Sequence, residues 1–158
     1  MRFLAATISL AFAATPLLAQ DDHKHLTEID GLRIVHAWMP ATSGPDAMIY
    51  MEIENGSDGL VTLSGAEAPD GMTVELVGFT YTDGVEAWQV LPAMPIAAGG
   101  NLDLAPRGVA LRISGLSASL VEGDEIEIEV LFGDLRLDVH VEVEDKNATA
   151  HGHAGHNH

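Results

Sequence analysis

Between Leu32 and Val143, apolar and polar side chains alternate with the period of a β-strand, and short turn signals cut the alternation into segments. The predicted strands are LRIVHAW (32–38), MIYMEIE (48–54), LVTLSGA (60–66), MTVELVGFTY (72–81), VEAWQVL (85–91), NLDLA (101–105), VALRISGL (109–116), EIEIEVLF (125–132) and LRLDVHVEV (135–143). NGSDG, PDG, TDG, AAGG, PRG, EGD and GD separate them, each rich in residues that supply turn geometry. The alternation is cleanest near the C-terminus. Ile126, Ile128 and Val130 oppose Glu125, Glu127 and Glu129, while Leu135, Leu137, Val139, Val141 and Val143 oppose Arg136, Asp138, His140 and Glu142. Short strands with one wet face build an antiparallel sandwich or barrel, so the chain is predicted to be all-β.

The two ends break this pattern. MRFLAATISLAFAATPLLA (1–19) has a basic Arg2, an apolar stretch and a small residue before Gln20, the organisation of a secretory signal peptide. No later stretch approaches the ~18 apolar residues of a membrane span, so an exported protein, off the membrane after cleavage, is expected. Residues 20–31 form a polar leader containing His23 and His25, residues 32–144 the β domain, and residues 145–158, EDKNATAHGHAGHNH less its first residue, a tail without periodicity. That tail is expected to be flexible.

Composition narrows the chemistry. There is no cysteine, which excludes disulfides, thiolate metal sites, cysteine nucleophiles and a lipidated N-terminal cysteine in this sequence. The formal charge is −17, and loss of Arg2 with the signal makes it −18. Such a field disfavours nucleic acid and anionic membranes and concentrates cations, although acidity also serves solubility.

RIVHAWMPAT (33–42), YMEIENGSD (50–58), VEL (74–76), DGVEAW (83–88), PAMPIAAGG (92–100), LAPRGVALRISGL (104–116) and EGDEIEIEVLF (122–132) together resemble the periplasmic copper chaperone family PCu(A)C, in order and spacing, over roughly residues 32–143. The resemblance implies a cupredoxin-like Greek-key β-sandwich. It also implies a copper(I) site of one His, a Met eleven positions on, and a His-x-Met pair about twenty-two positions later. Soft thioethers with imidazoles suit Cu(I). Carried onto this chain, the pattern falls on Val77, Trp88, Ala110 and Arg112, none of them such a ligand. Arg112 adds a permanent positive charge. The scaffold is therefore expected without its usual pocket.

Six of the eight histidines lie in the terminal segments: His23, His25, His151, His153, His156 and His158. Neutral imidazoles bind Cu(II), Zn(II) and Ni(II), and the small spacers Gly152, Ala154 and Gly155 let a chain wrap one ion. Tails of this kind accompany many members of the copper family, which gives the terminal histidines a precedent as metal ligands; the alternative is a solvated tail that binds metal adventitiously. By alternation His36 shares a face with Ile34 and Trp38 and is expected to be a structural histidine. His140 is expected to be exposed. Met39 and Met51 serve either as core filling or as neighbours of a displaced soft-metal site.

Catalytic signatures are missing: there is no G-x-S-x-G, no H-E-x-x-H and no P-loop. The chain is therefore read as a non-enzyme, and three functions remain. One is a periplasmic copper-binding protein that captures Cu(II), in preference to Cu(I), through terminal histidines and passes it to a periplasmic cuproenzyme or assembly factor, or buffers it. Another is a metal-free interaction module on a degenerate copper-chaperone scaffold. The third is a zinc or nickel scavenger using the same tail.

Overall fold

The computed structural model describes residues 26–151. Over that span the alternating segments fold as eleven strands: β1 (Leu26–Ile29), β2 (Leu32–Pro40), β3 (Asp46–Asn55), β4 (Val61–Glu67), β5 (Thr73–Thr82), β6 (Val85–Val90), β7 (Met94–Ile96), β8 (Asn101–Leu104), β9 (Val109–Ser114), β10 (Glu125–Phe132) and β11 (Leu135–Glu144). The described residues contain no helix, so none could cross a membrane as one. Each predicted segment is present. β1 and β7 were not predicted. β1 is turned into β2 by Asp30 and Gly31, both at positive φ (51° and 80°) as a two-residue hairpin turn of this hand requires.

Strand pairing runs from β5 through β9, β3, β2, β11, β10 and β4 back to β5, which joins the two layers of the sandwich at both sides. Most pairs are antiparallel. Two short parallel contacts, β2 with β11 and β8 with β9, depart from the purely antiparallel expectation. The first of these positions the site described below. β2 is flanked along its first half by β1 and along its second half by β11, on the same edge, and the partner changes at His36–Ala37. Thr27 Oγ1 donates to the Asp138 carbonyl at 2.9 Å, which ties β1 to β11 across that change.

The interior is filled by inward-facing aliphatic residues of both layers, among them Ile34, Met39, Ile53, Leu63, Leu111, Ile128 and Val141, all essentially without solvent exposure. Burial of this apolar area is the main favourable term in folding a chain without cysteine. Asn55 is the buried polar side chain among the described residues, at 1% exposure. Its Nδ2 donates to the carbonyls of Gly59, Ile96 and Ala97 at 2.8–3.0 Å, and its Oδ1 accepts from Ser57. The ENGSDG segment that follows β3 is thereby fastened to the end of β7.

Alternation fails at one place in β2. Val35 pairs with Glu52 and Trp38 with Tyr50, so His36 and Ala37 together oppose Met51 alone. This is a β-bulge, and His36 occupies it in the left-handed region at φ 53°. The extra residue reverses the facing of everything after it. Leu32 and Ile34 point into the main core before the bulge; Ala37 and Met39 do so after it, while Trp38 turns to the outer face. The expectation that Ile34, His36 and Trp38 share a face is corrected accordingly, and His36 is exposed.

Candidate metal centre

The bulge creates a second, smaller apolar cluster on the outer face of the sheet. Trp38, Tyr50, Val77 and Ala110 form it, with Met48, Trp88 and Ala148 packed around them. Val77 and Ala110 are directly opposite each other on β5 and β9 and have no solvent exposure. Val77, Trp88 and Ala110, three of the four positions to which the resemblance is expected to carry copper(I) ligands, meet in this cluster. The fourth, Arg112, lies two residues along β9 from Ala110 and makes an ion pair with Glu75 at 2.5 Å. Burial in the cluster pushes the Tyr50 hydroxyl above its ordinary pKa. Trp38 and Tyr50 stack obliquely at 4.8 Å, and Trp88 meets Phe79 edge-on at 5.4 Å.

Beyond β11 the chain turns at Asp145, whose carbonyl and carboxylate accept from the backbone N–H groups of Ala148 and Asn147. Residues 145–151 then return across the outer face, and Ala148 packs against the Trp38 cluster. This return delivers His151 to a cleft of about 320 Å³ lined by His36, Trp38, Met51, Glu52 and Asp103. The His151 side chain is 11% exposed. Its Nδ1 lies 3.0 Å from Glu144 Oε1 and its Nε2 lies 3.8 Å from Glu142 Oε2. One face of its ring stacks on His36, with centroids 5.3 Å apart.

Alternation along β11 explains why two carboxylates meet here. Val141 and Val143 enter the core, so Glu142 and Glu144 both project outward, opposite Trp38 and Pro40 of β2. One ligand atom from each of Glu142, Glu144 and His151 fits within a 4.8 Å group, the spacing of a cation site.

Of the six terminal histidines predicted as metal ligands, His151 is the one the structure describes. His23, His25, His153, His156 and His158 lie outside the described residues. His140 is exposed on β11 opposite Glu127, as expected. Met39 and Met51 are core residues, although Met51 also touches the cleft. Glu142 and Glu144 were missed as candidates. Their signal was available: two carboxylates at i and i+2 on the wet face of the last strand, just ahead of the histidine-bearing tail.

Comparison with known proteins places these features on a shared scaffold. Residues 32–144 match the family described as "Putative lipoprotein LpqE-like". "Putative lipoprotein Lxx21020" of Leifsonia xyli subsp. xyli (strain CTCB07) is 27% identical over 108 residues, covering 68% of this chain and 65% of that relative's own length. Among solved structures, the apo PCuAC domain of PmoF2 superposes with a TM-score of 0.63 at 19% identity, covering 80% of this chain and 99% of that domain. Cu(I)-bound DR1885 from Deinococcus radiodurans gives 0.55 at 28% identity, covering 72% of this chain and 78% of that protein. The chain belongs to the LpqE-like family, and its fold is the cupredoxin-like β-sandwich of PCuAC domains.

Proposed function

We propose that this protein is an exported, non-enzymatic copper-handling protein that has moved its metal chemistry from the family pocket to its termini. It captures Cu(II) through His151, His153, His156 and His158, with His23 and His25 as a second group, and it delivers the ion to a periplasmic cuproenzyme or holds it in reserve. The observation that carries this reading is the filling of the family's copper positions: Val77, Trp88 and Ala110 make an apolar cluster, and Arg112 beside them is charged. The side chains at these positions, Val77, Trp88, Ala110 and Arg112, offer a cation none of the imidazole and thioether donors of the pattern. Similarity to Cu(I)-bound DR1885 supports copper as the cargo. The imidazole-rich, thioether-poor tail favours the divalent ion. With no cysteine in the sequence, release after signal cleavage is the fitting mode of export.

Titration of the mature protein with Cu(II) and Cu(I), beside a variant ending at Asn147, tests this. Tight Cu(II) binding that disappears with the tail, together with weak Cu(I) binding by both forms, is the expected result. Equal binding by both forms would sink the assignment to the tail. Parallel Zn(II) and Ni(II) titrations separate copper handling from scavenging of those ions.

A metal-free docking role has one observation in its favour. The β5–β6 hairpin, at an edge of the sheet, leaves Tyr81, Val85 and Val90 between 57% and 67% exposed. Absence of tight binding to any of these ions would select that reading.

A further inference from the structure

His151, the first histidine of the tail, is held on the folded sheet among oxygen donors. We propose that Glu142, Glu144 and His151 form a site for one divalent first-row transition ion, Cu(II) or Zn(II), at the root of the tail. The site is separate from the positions the family pattern uses. The inference deepens the proposed copper capture and rests on it for the identity of the cargo.

Both ring nitrogens of His151 face carboxylate oxygen. Nδ1 lies 3.0 Å from Glu144 Oε1, and Nε2 lies 3.8 Å from Glu142 Oε2. Two donor atoms that each sit about 2.0–2.2 Å from one ion can be up to about 4 Å apart, so an ion spans either gap without movement of the backbone. Glu142 and Glu144 are therefore both placed as oxygen donors beside the imidazole.

His36 has a different part. Its ring lies against the face of His151 with 25° between planes, so the in-plane lone pairs of the two rings do not converge on one ion. We assign it as a positioning residue that supports the His151 ring from beneath. Glu52 and Asp103 line the cleft beside His151 and add negative potential there. One nitrogen with carboxylate oxygen suits borderline divalent ions and is poorly matched to Cu(I).

The test uses the full mature chain carrying H23N, H25N, H153N, H156N and H158N, so that His151 is the one terminal histidine left. Calorimetric titration with Cu(II) is expected to retain one site, and electron paramagnetic resonance to show nitrogen coupling that H151N removes. Adding E144Q, which replaces a charged oxygen donor by a neutral amide, is expected to weaken binding by about 10–100-fold. Adding E142Q as well should weaken it further. H36A should weaken binding less than E142Q and leave the nitrogen coupling in place. Unchanged affinity on E142Q/E144Q substitution overturns the site, as does loss of all binding in the asparagine-substituted parent while the unmodified chain still binds. In both cases capture by the whole tail survives. A parent that binds as well as the unmodified chain, and loses binding with E142Q/E144Q, upholds the site and removes the need for the distal histidines. Near-ultraviolet circular dichroism of each variant, matching the parent, excludes misfolding as the cause.

Discussion

The rings of His36 and His151 lie stacked, 5.3 Å between centroids, with His36 presented from a β-bulge and His151 from the returning tail. His36 sits there in a left-handed conformation, φ 53°, that a side-chain-bearing residue adopts at a cost of about 1–2 kcal/mol. Glycine at this position relieves the strain and removes the ring; a β-branched residue removes the ring and increases the strain. H36G is therefore expected to match or exceed the parent in stability, and H36V to lose about 2 kcal/mol in urea denaturation. Both should loosen His151, read as a change in its NMR chemical shifts.

Trp38 lines the same cleft as His151 and is 5% exposed. Cu(II) bound at the tail root should quench its fluorescence and saturate at one equivalent, whereas Zn(II), which is not paramagnetic, should not. W38F is expected to remove most of the quenching. A titration in which W88F instead removes it would relocate the metal to the outer hairpin.

The positions to which the resemblance carries copper(I) ligands lie in or beside the outer cluster, so a ligand set can be placed on them. Val77 and Ala110 are cross-strand partners, and Arg112 is two residues from Ala110 on the same strand. The combined variant V77H/W88M/A110H/R112M is expected to gain one Cu(I) site in competition assays with a chromogenic chelator. Two polar rings in the cluster and loss of the Trp88 ring should cost about 1–3 kcal/mol of stability. R112M alone should gain nothing.

Asn55 holds the carbonyls of Gly59 in the 56–60 turn and of Ile96 and Ala97 at the end of β7. N55A strands these acceptors and removes the partner of Ser57, so a loss of about 2–3 kcal/mol is expected. Hydrogen exchange should rise first along β7 and the 56–60 turn.

Burial raises the Tyr50 pKa above its ordinary value, which fixes the sign of a pH effect. Above about pH 10 the unfolded chain loses this proton while the folded chain retains it. Stability is thus full below that pH and falls as pH rises through the window between the two pKa values. Y50F should flatten this slope, measured by denaturation between about pH 9 and 11.

The strands of the sandwich were legible because alternation is a local property, and β10 and β11 are the plainest case. β1 was hidden for another reason. LTEI is a short, mostly exposed strand whose partner stabilises it, though the Asp30-Gly31 pair that turns it into β2 is a hairpin signal in its own right. β7 was masked by Pro95 and by its length of three residues. Strict alternation misplaced Trp38, since a bulge leaves no mark in the polarity pattern when the extra residue is a histidine. The carboxylates of the candidate centre were visible on β11, but their meeting with His151 depends on the turn at Asp145 and on the parallel pairing of β2 with β11. Neither follows from spacing along the chain.

That shared edge of β2 has a consequence for the chain ends. Leu26 pairs with Val35, next to His36, and His151 rests on His36 itself. The covalent roots of the DDHKH segment and of the HGHAGHNH segment are therefore moored beside one another. Leu26 and His151, the first and last described residues, sit at neighbouring points on β2, so the chain before one and the chain after the other leave the domain from a single patch of its surface.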